Sequence, residues 1–186
     1  MNEIKVKGTG VISTKTYVEK MHSSKFKAWL NSLPSKSNII FSKSINATDW
    51  YNVEEAYLAP LKGISQQFFN GNDKRAALEV GRFSADYGLK GVYKVFLMIA
   101  TPQALMRASK RIISVYFSNV EVKIYDVKKK SLVLSCTKIT RRNELFNYRT
   151  IGWCSRALEL ANCNNVVYEH VDAPDFNTFA FKLSWS

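Results

Sequence analysis

With 186 residues, 46% of them apolar and 13% aromatic, the chain is long enough to bury a core of its own and too short for two large domains. Its longest apolar run, Val95 to Ala100, is about a third of the ~18 residues that a membrane-spanning helix needs, which excludes such a span. The formal net charge of +12 is unevenly placed, with 14 basic and 8 acidic side chains over residues 1–100, 12 and 3 over 101–156, and 1 and 4 over 157–186.

The opening Met-Asn-Glu-Ile-Lys has no apolar run behind it, and the three cysteines are odd in number and far apart. Together these predict a cytoplasmic, reduced protein without a secretory signal. Ile4-Lys5-Val6-Lys7 alternates apolar and basic, as a strand with one buried face does, and Gly8 and Gly10 are expected to weaken or bulge it. From Ser13 a helical pattern takes over, with Thr14 as a cap and Tyr17, Val18, Met21, Phe26, Trp29, Leu30 and Leu33 at helical spacing up to Pro34, with a break near Ser23-Ser24. Residues 35–49, rich in serine and asparagine, read as a loop crossed by a brief extended piece, Ile39-Ile40-Phe41. Asn52 starts a helix through Phe69. After the Asn70-Gly71-Asn72 turn, Lys74 to Tyr87 forms another, ended by Gly88. Leu89 to Ala100 gives a strongly apolar helix stopping before Pro102, and a further helix from Gln103 carries Leu105, Ala108, Ile112 and Ile113.

The last third changes period from 3.6 to 2. Val120, Val122 and Ile124 alternate with Glu121, Lys123 and Tyr125, and after Lys128-Lys129-Lys130 the residues Leu132, Leu134 and Cys136 alternate with Val133, Ser135 and Thr137, as in an antiparallel hairpin. Asn143 caps a helix carrying Phe146, Thr150, Trp153, Ala157 and Leu160. Two strands follow: Val166, Tyr168 and His170, then, after a turn at Pro174, Phe179, Phe181, Leu183 and Trp185. The fold expected is α+β, a single domain over 1–186 in which a helical N-terminal two thirds packs on a C-terminal antiparallel sheet of order strand-strand-helix-strand-strand.

Signatures of catalysis are absent from this pattern. Cys136, Cys154 and Cys163 show no C-x-x-C spacing and lie far from His22 and His170, so no metal site is predicted. Cys136 and Cys154 fall on apolar faces and read as core side chains, whereas Cys163 near a helix end is expected to be exposed. His170 alternates toward the core with Val166 and Tyr168. The first-turn pair Glu54-Glu55 is explained by the helix dipole, and Asp172 and Asp175 by the turn at Pro174. No G-x-S-x-G elbow and no glycine-rich phosphate loop is present. Two basic clusters remain as anion or nucleic-acid candidates: Lys128, Lys129 and Lys130 at a hairpin tip, and Arg141 and Arg142 before a helix N-terminus. Only Tyr125 and Tyr148 are free to stack on bases.

The segments LEVGRFSADYGLKGVYKVFLMIATP (78–102), SVYFSNVEVKIYDVKKKSLVLSC (114–136) and the closing FKLSW resemble a bacterial family of unknown function first collected from myxobacteria, across Val6 to Trp185. That family is similar to small-molecule sensor domains, the 4-vinyl-reductase-like and heme nitric-oxide-binding domains, which hold ligands between helices and sheet. The resemblance implies a pocket between the Leu89–Ala100 helix, the Phe146–Leu160 helix and the inner sheet face, with Tyr93, Phe96, Trp153, Cys154 and Phe181 about it. It does not bring heme with it. Those domains hold the propionates with a Tyr-x-Ser-x-Arg triplet and use a helical proximal histidine, while here Tyr116-Phe117-Ser118-Asn119-Val120 sets valine where arginine is needed and nothing aligns His22 with the ligand position. The pocket then takes another ligand or is filled by Phe96, Trp153 and Phe181.

The leading expectation is therefore a non-enzymatic, cofactor-free module that binds a small molecule or a protein partner, with a homodimer through a sheet edge or helix face as one arrangement. A nucleic-acid-binding protein using residues 101–156 is the alternative, and a heme or redox sensor the third.

Overall fold

A computed structural model describes residues 3–89, 101–138, 143–173 and 175–186, apart from the side chains of 109, 110 and 112. Strand β1 (Lys5–Lys7) pairs antiparallel with β2 (Trp50–Asn52), Val6 opposite Tyr51. Val6 is fully buried while Lys5 is exposed, as the alternation predicts, and the Lys7 ammonium lies 4.5 Å over the Trp50 ring. The helix α1 (Gly8–Met21) begins at once, five residues earlier than the sequence pattern suggests. Gly8 and Gly10 are thus helical and form no bulge. The reason is contact: a Cβ on Gly8 would lie 1.9 Å from the Asn46 carbonyl oxygen, so only glycine lets the helix start against that loop. Thr14 lies inside α1, where its hydroxyl donates to the Gly10 carbonyl at 3.3 Å, and is no cap.

A 3-10 turn at Ser23–Lys25 supplies the expected break before α2 (Phe26–Ser32). Residues 35–42, expected to be loop and strand, form the helix α3 (Ser35–Ser42) instead. Its buried positions, Ser37 and Phe41, are one turn apart, and Phe41 meets Trp29 edge to face at 5.3 Å, so tertiary packing overrides a polar, turn-prone composition. A π-helical stretch, Glu54–Leu58, leads into α4 (Ala59–Phe68), with the Asn52 side chain accepting from the Glu55 amide. Asn70 and Gly71 turn the chain with positive φ, Asn72 caps through the Arg75 amide, and α5 (Asp73–Leu89) continues through Gly88, two residues beyond its expected end at Tyr87. The helix expected over Leu89–Ala100 falls, from residue 90 on, outside the described residues. Thr101 caps α6 (Pro102–Tyr116) by accepting from the Ala104 amide at 3.2 Å.

The period-2 segments become one antiparallel sheet, order β3-β4-β6-β5, from β3 (Glu121–Lys128), β4 (Ser131–Thr137), β5 (Val167–His170) and β6 (Thr178–Ser184). Central register pairs are Leu132 with Leu183, Leu134 with Phe181 and Cys136 with Phe179, all buried. Between the hairpins runs α7 (Glu144–Leu160), capped by Asn143, whose side chain accepts from the Phe146 amide at 3.1 Å. The architecture is α+β. Two further expectations about single residues are overturned: His170 is exposed, on the outer strand β5, and Cys163 is buried, 5% exposed. No helix of the described residues is long and apolar enough to cross a membrane.

Candidate functional site

Helices α5 and α7 cross with their backbones nearly touching. A Cβ on Gly81 would sit 2.2 Å from the Arg149 carbonyl oxygen, and one on Gly152 would sit 2.3 Å from that of Leu78. These two glycines therefore fix the crossing, and with it what the flanking turns of both helices face. On one side lies a cavity of about 330 Å³, walled by Gly10, Ile12 and Ser13 of α1, Gly81, Ser84 and Tyr87 of α5, Ile113 and Tyr116 of α6, and Arg149, Thr150 and Trp153 of α7, with Tyr57 and Phe117 closing it. Its volume is within the range of ~300–1,000 Å³ common for small-molecule sites.

The charged member of this wall among the described residues is Arg149, 3% exposed. Its guanidinium carbon lies 4.0 Å from the centre of the Tyr57 ring, a cation–π contact. Nη2 donates to the hydroxyls of Ser84 at 3.2 Å and Ser13 at 3.3 Å and reaches the Gly10 carbonyl at 3.5 Å. Both serines have a backbone carbonyl for their own protons, Gly10 for Ser13 and Val80 for Ser84, each at 2.8 Å, which leaves their lone pairs to the arginine. Nη1 is buried with no hydrogen-bond partner among the described residues, and none of the ion pairs among them includes Arg149. Burial pushes the Arg149 pKa down, with the Tyr57 phenol opposing that shift, and burial holds the Tyr57 phenol above its ordinary value. No carboxylate lines the cavity among the described residues.

Of the residues expected at a pocket, Trp153 lines this cavity. Cys154 and Phe181 are fully buried without lining it, Phe181 in the sheet against Phe179, and Tyr93 and Phe96 lie outside the described residues. Lys128, Lys129 and Lys130 are exposed at the β3–β4 tip, where Lys128 pairs with Asp126 at 3.5 Å and the Gln103 amide donates to the carbonyls of Lys128 and Lys129. Arg141 and Arg142 lie outside the described residues. Tyr125 is 41% exposed, whereas Tyr148 is half-buried, 5.6 Å from His170 and 5.3 Å from the Lys74 ammonium.

Sequence reasoning passed over Arg149, Ser13, Ser84 and Tyr57. The available signal was Arg149 itself: Phe146 three residues before and Trp153 four after set it within an apolar helix face, where a charge is out of pattern.

A heme-type group has little to bind here. The chain has two histidines and three cysteines, and none lines the cavity. His22 is stacked on Phe68 at 3.9 Å, and His170 borders a separate polar cleft of about 280 Å³ with Glu144 and Asp172. Burial pushes the Cys136 thiol up to about 12 and raises those of Cys154 and Cys163, so none is a ready thiolate. The donor set does not fit a histidine- or thiolate-ligated heme.

Comparison with known protein families and with curated proteins gives no match. Among solved structures the chain is similar to H-NOX domains: a phenylalanine-to-leucine variant of the Tt H-NOX domain (TM-score 0.69, 12% identity, covering 97% of this chain and 95% of that one), and the Fe(II) unliganded H-NOX protein from K. algicida (TM-score 0.67, 12% identity, 97% and 96%). A third is an oxygen-binding H-NOX domain related to soluble guanylate cyclases (TM-score 0.67, 11% identity, 97% and 95%). At such identities the likeness establishes the fold: this chain shares the H-NOX fold.

Proposed function

We propose that this protein is a non-enzymatic, sensor-like module that binds a small molecule in the cavity between α1, α5, α6 and α7. The observation that carries the reading is the cavity itself, about 330 Å³ of space among otherwise close-packed helices, in a fold whose solved examples include an oxygen-binding domain. The polar groups on its wall are hydroxyls, phenols and one guanidinium, with no imidazole or carboxylate among the described residues to move a proton, which favours binding over turnover. The fold supports a heme sensor, but the donor set turns the reading toward a ligand other than heme.

Two titrations test this. Backbone NMR spectra recorded with a panel of small aromatic compounds are expected to shift Ser13, Ser84, Trp153 and their neighbours. Shifts confined to other surfaces, or none at millimolar ligand, contradict the reading. Hemin is expected to give no Soret band saturating at one equivalent per chain. A one-to-one band that disappears in His22→Ala restores the heme reading.

A further inference from the structure

The buried guanidinium of Arg149 sets a requirement on the ligand. A cation taken out of water is costly unless an anion or a full set of acceptors replaces the hydration it loses. Here Nη2 is satisfied by two hydroxyls and a carbonyl, the Tyr57 face covers one side of the guanidinium plane, and Nη1 is buried with no acceptor among the described residues, in a residue that lines the cavity. The Arg156 guanidinium, two turns further along α7, meets Asp86 and Glu159 instead. The fold therefore has carboxylates within reach of α7 and sets none of the described ones against Arg149.

We propose that the cavity takes a small monocarboxylate with an apolar, aromatic body, its carboxylate paired with the guanidinium of Arg149. This deepens the small-molecule reading and rests on it. The charge count selects the head group. One cationic residue lines the space among the described residues, and the Thr150 hydroxyl donates to the Phe146 carbonyl at 3.0 Å, so a phosphate dianion would retain an uncompensated charge in a largely apolar cavity. A carboxylate is neutralised by the one guanidinium and gains a charge-assisted hydrogen bond. The rest of the wall selects the body: Ile12, Ile113, Phe117 and Trp153 present apolar surface, and the aromatic rings favour stacked or edge-on contact with a flat ligand.

The test measures benzoate and phenylacetate against their primary amides, benzamide and phenylacetamide, by isothermal titration at pH 7 with the full chain. Each amide matches its acid in size and shape and differs in charge. Wild type is expected to bind at least one carboxylate tenfold or more tightly than its amide. Arg149→Met is expected to abolish that preference while still binding the amide, and Arg149→Lys to keep part of it. Equal affinity for acid and amide in wild type overturns the proposal and leaves the cavity as a site for neutral ligands. Failure of all four compounds to bind overturns both. The wild-type ratio decides the matter even if Arg149→Met does not fold.

Discussion

Arg149 and Arg156 stand two turns apart on the same helix, and their surroundings differ in every respect that governs a charge. Arg156, half-buried, lies 3.1 Å from Asp86 and 2.9 Å from Glu159, and Arg82 closes the network on Glu159 at 2.7 Å. These pairs stitch α5 to α7 where water still reaches, each contributing modestly. Arg149 is deeper, has hydroxyls, a carbonyl and a ring for company, and has one nitrogen without an acceptor among the described residues. One arginine is explained by the protein alone. On our proposal the other is explained by the protein plus something it binds.

The largest effect expected is on the crossing that sets both residues in place. Gly152→Ala drives a Cβ into the Leu78 carbonyl, and because backbone cannot yield as a side-chain tip does, the loss should reach or exceed the upper end of the ~1–3 kcal/mol typical of overpacking. Urea unfolding measures it, and an unchanged midpoint would mean that the helices do not touch there.

The two arginines should then respond with opposite signs. Arg149→Met, which replaces an incompletely paired buried cation by an apolar chain of similar length, is expected to raise the stability of the ligand-free protein by about 1–2 kcal/mol. A loss of stability instead would make Arg149 a strut between α1, α5 and α7. Arg156→Met, which takes a cation from a half-buried network, is expected to lower stability by about 0.5–1 kcal/mol.

The paired side also has a pH signature. The Glu159 carboxyl is held below its ordinary range, chiefly by the Arg82 hydrogen bond. A depressed carboxyl stabilises the fold above its unfolded pKa of ~4.3 and loses that contribution as pH falls through the folded value. The stability gap between wild type and Glu159→Gln should accordingly be full at neutral pH and close in acid. A gap that widens on acidification would contradict the pairing.

How far the sequence disclosed this molecule depends on which physical signal governs each part. The strands of the four-stranded sheet were legible because period-2 alternation is imposed by a sheet with one buried face, and Asn143 because a cap needs an acceptor at the first free amides, whereas the three-residue β2 is too short to show a period. Helix α3 was not, since its serines and asparagines favour turns and only the burial of Ser37 and Phe41 by distant residues makes it helical. Gly8 read as weakening or bulging a strand and Gly81 drew no reading, although both serve close approach to backbone far away in sequence. Within the site, Trp153 was legible as an aromatic on the inner face of α7. Arg149 was masked by the habit of assigning every helical arginine to solvent, and Ser13, Ser84 and Tyr57 because long-range contacts alone bring them to it.

The most direct test is a crystal structure with 4-bromobenzoate, in which the bromine marks the ligand by anomalous scattering. The account predicts one bromine among Ile12, Ile113 and Trp153, with the carboxylate within hydrogen-bond distance of the Arg149 guanidinium. A cavity empty at saturating ligand, or a bromobenzoate whose carboxylate points away from Arg149, would contradict it.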